Sequence, residues 1–578
     1  MFSGFSAPTT LSVTPTSIER VLLIGGCIFD RWIDVIRAIS PEIAVDHRLF
    51  QHAMGPDADL GSHDLRIVQL PLRVIMPEYM TMPLGYGDVD GYQAVFDRAL
   101  DFLRSHLASI SHGSRAAPTF VLNYMPPQRN SLGRCMPRYD LRNPVFFVEE
   151  LNRALTDIAA SIPNTHIIDI AEIGAMIGRQ RFQDDAFCLN AHGGFVSDSD
   201  YYADGERLEP SSPLTQRYPF SVADTIEAFW GETLATYRTL NASDRVKMVC
   251  IDLDDTLWRG VMAEQDNIDP AQMEGWPLGL AEALAILRER GIILTIISRN
   301  DESRIREIWP QLFSQRLSLD DFAIRKIGWR PKVEAMAEAI AEANVLPDTV
   351  VFLDDNPVER AQMRAAYPQV RVIEAPHLDW RRILLWSAET QVPAITDESS
   401  RRNDMIRAQV VRETDRASMA PDDFLRSLEI NVQIMPVVDA ADPHFARALE
   451  LVNKTNQFNT TGERWSESEA DSFFADGGRW VVFKVSDRYT NYGLVGVVAI
   501  RGGQIAQMVM SCRIFGLGVE QAVLARLTQN APLRARIVET PKNGPSRSVF
   551  REAGWHFDGE AWDSRDSHTA SPAHVLMT

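Results

Sequence analysis

Apolar and amphipathic segments alternate in the middle of the chain. The apolar runs occupy residues 248–251, 292–297 and 349–353, and each is short enough to form one buried strand. The amphipathic segments between them, 280–290 and 332–344, carry apolar residues at helical spacing. A strand, helix, strand, helix, strand order predicts a parallel β-sheet covered by helices. The pattern therefore predicts an α/β fold for this region.

Each apolar run ends at a side chain that can take part in a reaction. Asp252, Ser298 and Asp354 directly follow the three runs. Because the carboxyl ends of parallel strands lie at one edge of a sheet, where ligands bind, these side chains are expected to meet there. Lys332, which follows Pro331 at a predicted helix start, can add a positive charge to this edge.

The first of these strand ends is acidic. The chain continues as Asp252-Leu253-Asp254-Asp255-Thr256. Crowded carboxylates repel one another and cost stability unless a cation or a reaction uses them. A magnesium site for phosphoryl transfer explains them. The alternative is that these acids cap helices or lie in solvated turns, as a lone Asp-x-Asp commonly does.

The order of these side chains resembles the haloacid dehalogenase superfamily of phosphotransferases. The four motifs of that superfamily match, in chain order, Asp252-x-Asp254-x-Thr256, Ser298, Lys332 and Asp354-Asp355. The resemblance implies a Rossmann-like domain in which Asp252 is the nucleophile and becomes an aspartyl phosphate. It also implies that Asp254 is the acid/base that protonates the leaving oxygen. The short separation of Asp252 and Ser298 leaves room for a minimal cap only.

The same resemblance implies Mg²⁺ as the cofactor. Its ligands are expected among Asp252, the Asp254 backbone carbonyl, Asp354 and Asp355, with the choice between the last two left open. The phosphoryl oxygens would be held by Ser298 and Lys332, with Thr256, Arg299 and Asn300 as further phosphate-binding residues.

A glycine-rich turn between a predicted strand and a predicted helix marks the C-terminal third. Residues 504–511 have a strand pattern, residues 519–527 have a helical one, and the turn contains Arg513, Gly516 and Gly518. Glycines at a helix start let backbone N–H groups approach a phosphate or pyrophosphate. The pattern R-x-x-G-x-G resembles motif A of the N-acyltransferase superfamily. The alternative is that both glycines serve the turn geometry alone.

Further segments, taken with the phosphatase motifs, resemble the FkbH-like proteins of polyketide biosynthesis over about residues 245–560. These segments are Asn453-Lys454-Thr455-Asn456-Gln457-Phe458-Asn459, Asp487-Arg488, Gly493-Leu494-Val495-Gly496, Ser511-Cys512-Arg513 and Pro541-Lys542-Asn543. One departure is Arg299, where the family pattern has lysine, so the geometry of the cation differs there.

This resemblance implies the loading of a three-carbon acid. Members of the family are thought to take a glyceryl group from 1,3-bisphosphoglycerate, remove phosphate, and place the acyl unit on the thiol of an acyl carrier protein. The chain would then bind a small phosphorylated acyl substrate and the phosphopantetheine of a carrier protein, or CoA. The residues expected to bind the acyl or pantetheine group are Arg513, Gly516, Gly518, Lys454, Asn456 and Asn543.

Two cysteines are candidates for carrying the acyl group in transit. Cys512 precedes Arg513, whose charge favours the thiolate. Cys27 lies between Gly26 and a predicted helix, on a turn with an open approach. The alternative for both is a small packed core residue.

The first 240 residues contain short strand candidates at 21–24, 120–122 and 167–170. This arrangement is similar to the SGNH hydrolase-like domain that precedes the phosphatase in longer FkbH-like proteins. A working SGNH hydrolase would have serine at position 27 and aspartate three residues before His192, whereas this chain has Cys27 and Leu189. A binding or scaffolding role is therefore expected for this domain.

Length and polar linkers predict several domains. A chain of 578 residues is too long for one core, and residues 241–244 and 396–402 have the composition of linkers. The predicted division is a disordered N-terminus at 1–17, an SGNH-like α/β domain at 18–240, a phosphatase domain at 245–398, an acyltransferase-like α+β domain at 403–560 and a flexible tail at 561–578.

Composition excludes several classes of protein. The chain has 58 basic and 78 acidic residues, a net charge of −20, which disfavours a nucleic-acid partner. Its five cysteines are widely separated and predict neither a disulfide framework nor a zinc site. The start of the chain is unlike a secretory signal, and no run reaches membrane-spanning length. A cytoplasmic enzyme without a membrane partner is expected, with its oligomeric state open.

The sequence is compatible with three functions. The first is the bifunctional enzyme that dephosphorylates a phosphorylated acyl donor and loads a carrier protein. The second is a stand-alone Mg²⁺-dependent phosphatase for small phosphoesters. The third is a non-catalytic assembly protein that binds acyl carrier domains, but such a protein has no need to keep carboxylates crowded together.

Overall fold

The computed structural model describes residues 3–50, 63–76, 84–111, 117–185, 208–209, 214–265, 269–313, 317–529, 531–541, 543–565 and 570–578. They belong to two compact units. The first comprises Met1–Met262, Asp269–Arg290 and Leu346–Ala394, and the second comprises Ala263–Ile268, Gly291–Val345 and Ile395–Thr578. The predicted phosphatase segment, 245–398, contributes to both units, and the three-domain division stays a prediction.

The strands alternate with helices along most of the chain. In chain order the strands are β1 Arg20–Gly25, β2 Ala44–Leu49, β3 Leu65–Val68, β4 Thr119–Leu122, β5 Thr165–Ile168, β6 Met248–Ile251, β7 Ile293–Ser298, β8 Ile324–Ile327, β9 Val350–Leu353, β10 Arg371–Val372, β11 Ile430–Val437, β12 Arg479–Ser486, β13 Asn491–Arg501, β14 Gln504–Met510, β15 Arg534–Ala535, β16 His556–Phe557, β17 Trp562–Asp563 and β18 Val575–Met577. The longer helices are Ile28–Ile39, Val89–Ser111, Pro144–Ala160, Ile170–Ile177, Val222–Leu240, Trp276–Glu289, Glu302–Phe313, Lys332–Ala343, Pro357–Ala366, His377–Trp386, Arg402–Ser418, Phe445–Lys454, Glu467–Ala475 and Val519–Thr528. The shorter helices are Ser3–Ser6, Leu72–Ile75, Leu214–Arg217, Asp397–Ser400, Pro421–Ser427 and Val549–Glu552.

The first sheet is entirely parallel. Its strand order is β2-β1-β3-β4-β5, and each neighbouring pair runs in the same direction. Strands β3 and β4 are buried along their whole length, as expected for strands covered by helices on both faces. This confirms an α/β arrangement in the N-terminal region, whereas its assignment as SGNH-like stays a prediction.

Each unit contains further parallel strands. In the first unit β9 pairs with β10 and with β6, and Ile251 lies opposite Leu353. In the second unit β7 pairs with β8, and Ser298 lies opposite Ile327. These pairs confirm the parallel α/β class that the three apolar runs predict.

The remaining strands form an eight-stranded sheet in the second unit. Its order is β16-β17-β15-β14-β13-β12-β11-β18, with antiparallel pairs except for β14 with β15 and β11 with β18. One core cluster contains residues of helix Val519–Thr528, and another contains residues of helices Phe445–Lys454 and Glu467–Ala475. This is the predicted α+β class, while the acyltransferase assignment stays a prediction.

Described residues near both ends of the chain make ordered contacts where disorder is predicted. Leu11 is buried, and the backbone N–H groups of Val13 and Thr14 donate to the Asp244 carboxylate. At the other end, β18 extends the large sheet by pairing with β11. A strand of three residues carries too little periodic signal to be predicted from sequence, because its partner lies far away in the chain.

A buried ion-pair cluster joins the start of the first unit to its helices. Arg238 contacts the Asp244 carboxylate at 2.6 Å and the Glu389 carboxylate at 2.9 Å. It also donates to the Thr14 carbonyl at 2.8 Å. Burial alone would raise the pKa of Asp244, but hydrogen bonds from Thr14, Val13 and Arg238 outweigh burial and lower that pKa to about 2.

Asn403 ties helix Arg402–Ser418 to strand β7 in the second unit. Its side-chain oxygen accepts a hydrogen bond from the Leu294 N–H at 2.8 Å, and its amide donates to the Ile292 carbonyl at 2.9 Å. We expect Asn403→Ala to destabilise this unit by about 2 to 4 kcal/mol, because a buried donor and acceptor lose their partners. Urea unfolding measures the change.

The matched control for this prediction is the exposed Asn456 of the same unit. Its replacement by alanine should cost less than about 1 kcal/mol. Equal losses from the two variants would contradict the role given to Asn403.

Among the helices that the structure describes, none has both the length and the apolar composition that a membrane crossing requires.

Candidate functional site

Two neighbouring parallel strands of the first unit end in acidic residues. Asp252 follows β6 and Asp354 follows β9, and the register of Ile251 with Leu353 places both ends at the same level. The Asp252 N–H donates to the Leu353 carbonyl at 3.0 Å, which continues the pairing up to the first carboxylate. The local order of strand and loop therefore brings the two acids together.

Three carboxylates converge at this point. One oxygen each from Asp252, Asp354 and Asp355 lies within 4.8 Å of the others. Asp252 is 7% exposed and Asp354 is 0% exposed, whereas Asp355 is open to solvent. Burying two adjacent carboxylates is costly unless a cation compensates their charge.

The donor set fits Mg²⁺. All three groups offer hard carboxylate oxygens, and opposite ligands of an octahedral magnesium ion are about 4.2 Å apart, twice the bond length. The 4.8 Å limit within which the three carboxylate oxygens lie is compatible with that value.

Thr256 links the two acidic loops. Its hydroxyl accepts from the Asp355 N–H at 3.0 Å and donates to the Asp355 carboxylate at 3.3 Å. Asp354 in turn accepts from the Asn356 N–H at 2.9 Å. Arg360 donates to the backbone carbonyls of Asp354 and Asp355. Thr256 thus orients Asp355, and its predicted contact with phosphate stays a prediction.

Asp254 has a different environment from the other acids. Its Oδ1 accepts from the Trp258 indole N–H at 2.8 Å and from the Met262 N–H at 3.2 Å. Its carboxylate is not part of the converging group. Metal binding by its backbone carbonyl stays a prediction. The sequence pattern does not indicate the contact with Trp258, which lies four positions further along the chain.

The second unit contains the other predicted phosphate-binding residues. Ser298 is the last residue of β7, Arg299 is exposed, and Asn300 is buried. Lys332 is buried and begins the helix that follows β8. Because β7 and β8 are parallel, Ser298 and the turn before Lys332 lie at the same edge of this strand pair. Their grouping with the acids of the first unit stays a prediction.

The glycine turn predicted to bind pantetheine has a backbone conformation that favours glycine. Gly516 and Gly518 both have φ of +74°, and Gly518 is the N-cap of helix Val519–Thr528. However, a Cβ atom on Gly518 would lie 3.1 Å from Pro572, and the His574 ring contacts the Leu517 carbonyl at 2.9 Å. The C-terminal segment therefore packs over one side of this turn.

The polar residues predicted at the acyl site have partners within the protein. Lys454 is paired with Glu450, and Asn456 accepts from Arg464. Arg513 donates to the Ser511 hydroxyl at 3.1 Å. Cys512 lies in the 3-10 helix Cys512–Ile514. These contacts leave ligand binding by the three polar residues, and acyl transfer by Cys512, as predictions.

Asn543 has a packing role. It is buried, and its amide donates to the carbonyls of Asn459 and Val538 at 2.9 Å each. Its side-chain oxygen accepts from the Thr540 N–H at 2.8 Å. Asn543 therefore holds the segment around Asn459, which itself bridges to Val509 of β14. The structure thus explains Asn543 without a ligand.

Cys27 is exposed and directly precedes helix Ile28–Ile39. The alternative of a buried packing cysteine is therefore wrong for this residue. Leu189 and His192, which underlie the expectation of an inactive hydrolase, lie outside the described residues.

Comparisons with known proteins find a likeness among solved structures. No family model matches the chain, and no curated protein matches it. Among solved structures, the chain is similar to the N-terminal part of the protein BF1531 from Bacteroides fragilis, which contains a phosphatase domain complexed with Mg. The sequence identity is 20%, the TM-score is 0.46, and the match covers 67% of this chain and 98% of the other.

Proposed function

We propose that this chain is a Mg²⁺-dependent phosphatase of the haloacid dehalogenase type. The observation that carries the proposal is the convergence of Asp252, Asp354 and Asp355 at the ends of two parallel strands. Three converging carboxylates, two of them buried, offer a divalent cation the negative charge and the hard oxygen ligands that it prefers. The order of the four motifs in the sequence supports phosphoryl transfer as the reaction.

The proposed reaction has two steps. An oxygen of Asp252 attacks phosphorus, a new O–P bond forms, and the bond from phosphorus to the leaving oxygen breaks. Asp254 gives its proton to the leaving oxygen. Water then attacks the aspartyl phosphate and releases phosphate, while Asp254 takes the proton back. Mg²⁺, held by Asp252, Asp354 and Asp355, would neutralise charge on the phosphoryl group.

Ser298 and Lys332 are proposed to hold the phosphoryl oxygens, with Arg299 and Asn300 beside them. Both Ser298 and Lys332 occur at the edge where β7 ends and the helix after β8 begins. Lys332 is buried, and its side chain can offer a positive charge to an anionic phosphoryl group.

The finer proposal is that the enzyme loads an acyl carrier protein. The carrier thiol would attack the carbonyl carbon of an acyl phosphate, so that a C–S bond forms, the C–O bond to phosphate breaks, and phosphate leaves with the thiol proton. The phosphatase site would hydrolyse the phosphoester at the other end of the three-carbon unit, so that water releases a second phosphate and a glyceryl group remains on the carrier. The glycine turn at Gly516 and Gly518 and the likeness to FkbH-like proteins support this proposal. Polyketide metabolism and a cytoplasmic location are part of the same proposal.

A mass measurement tests the loading. We expect holo carrier protein, incubated with this enzyme, Mg²⁺ and 1,3-bisphosphoglycerate, to gain the mass of a glyceryl group. Replacing Mg²⁺ by a chelator should abolish both the mass gain and phosphate release. A carrier without its phosphopantetheine arm is the matched control, since it offers no thiol.

One observation favours the stand-alone phosphatase as the alternative. Pro572 and His574 pack against the glycine turn, so a pantetheine arm would have to displace them to reach Gly518. Phosphate release from small phosphoesters without any thioester would select this alternative. Absence of Mg²⁺-dependent phosphate release from every small substrate tried would instead favour a non-catalytic, carrier-binding protein.

A further inference from the structure

A buried tryptophan contacts the proposed acid/base. The Trp258 indole N–H donates to Asp254 Oδ1 at 2.8 Å, and the Met262 N–H donates to the same oxygen at 3.2 Å. Trp258 is 0% exposed, so its N–H cannot turn to water when the contact breaks. A buried donor that loses its acceptor costs free energy. The contact therefore resists rotation of the Asp254 side chain.

The backbone of this loop holds both residues in place. The Leu253 carbonyl accepts from the Thr256 N–H at 3.2 Å and from the Leu257 N–H at 2.7 Å. Asp255 has a φ of +49°, and its carboxylate accepts from the Gly260 N–H at 2.7 Å. These bonds close the loop into a tight turn. Asp254 and the indole that binds it are thus carried by one compact segment.

The loop separates two acids that are only two positions apart. Asp252 belongs to the converging carboxylate group, whereas the Asp254 carboxylate is directed to Trp258 and Met262. A nucleophile beside the metal and an acid aimed at the leaving oxygen require such a separation, because one group cannot occupy both places. A side chain that fixes the second direction contributes to the geometry of the reaction.

We propose that Trp258 is a positioning residue for Asp254, an inference that rests on the proposed phosphatase function. Its N–H holds one carboxyl oxygen of Asp254, so that the group delivers its proton to the leaving oxygen as the P–O bond breaks. Trp258 itself does not touch the substrate. Its loss should therefore affect leaving groups that need a proton more than leaving groups that depart as stable anions.

The test compares two substrates in Trp258→Phe. p-Nitrophenyl phosphate releases a stabilised phenolate, whereas an alkyl phosphate such as glycerol 3-phosphate needs a proton on its leaving oxygen. The parameter to compare is kcat/KM, because it covers the steps up to the aspartyl phosphate and not its hydrolysis. We expect the ratio of alkyl to aryl kcat/KM to fall at least about tenfold.

A second tryptophan provides the matched control. The Trp380 indole N–H donates to the Ala375 carbonyl at 2.9 Å in the same unit, and Trp380 is also buried. Trp380→Phe removes a buried donor of the same kind and should leave the substrate ratio unchanged. If Trp258→Phe fails to fold, benzothienylalanine at position 258 keeps the ring shape and lacks the N–H.

The outcomes separate the inference from the function on which it rests. If the ratio of alkyl to aryl kcat/KM in Trp258→Phe stays within about twofold of the wild-type ratio, Trp258 has a structural role only and the inference is overturned. An equal loss of kcat/KM for both substrates leads to the same conclusion. If the wild type releases phosphate from neither substrate with Mg²⁺ present, the proposed function fails, and the inference fails with it.

Discussion

Asp252→Asn is expected to lower phosphate release from p-nitrophenyl phosphate and acetyl phosphate at least about 10³-fold, because the amide keeps the shape of the side chain but is not a nucleophile. The replacement also removes one of the three carboxylates that face one another. The loss should therefore come without unfolding, since it relieves repulsion. A continuous phosphate assay and a thermal melt measure the two effects.

Asp157→Asn is the matched control for this variant. Asp157 is an exposed acid of the same unit, and its ion pair with Arg153 lies on the helix surface. Its replacement should change phosphate release less than about twofold. Near-normal turnover in Asp252→Asn would overturn the assignment of the nucleophile.

The largest effect on stability is expected from Arg238→Met. Methionine is apolar and leaves the carboxylates of Asp244 and Glu389 without their shared cation. Both carboxylates are at most 10% exposed, so they would lose their ion-pair partner in a buried place. We expect the free energy of unfolding of the first unit to fall by about 3 to 5 kcal/mol. Urea denaturation followed by intrinsic fluorescence measures it.

Arg153→Met is the control for Arg238. Arg153 pairs with Glu150 and Asp157, but its side chain is 62% exposed. Exposed pairs of this kind contribute at most about 1 kcal/mol. A loss in Arg238→Met no greater than in Arg153→Met would show that the buried cluster is not a source of stability. Recovery of stability when Glu389→Gln is added to Arg238→Met would support the role of the buried cluster.

The acidic centre could be predicted because its acids follow strands that the sequence indicates. The runs before Asp252 and Asp354 are short, fully buried strands, and four consecutive apolar residues ending at an acid are visible in the sequence. Parallel pairing then places the two strand ends side by side. Neither step needs a contact that the sequence does not indicate.

Other features could not be predicted because distant segments create them. Arg238 lies in a helical pattern like any surface arginine, and only folding brings Thr14 and Glu389 to it. Asn543 lies in a segment that is typical of a ligand-binding turn, yet the residue is buried and its amide donates to the carbonyl of Asn459. Amide and guanidinium groups serve packing and binding equally well, so residue type alone does not distinguish the two uses.

Titration of the metal-free protein with Mn²⁺, detected by electron paramagnetic resonance as a substitute for Mg²⁺, tests the central claim most directly. The account predicts one bound ion per chain that Mg²⁺ displaces, and loss of that site in Asp354→Asn, because Asp354 is the most buried of the three carboxylates. Absence of a displaceable site, or binding that is unchanged in Asp354→Asn, would contradict it.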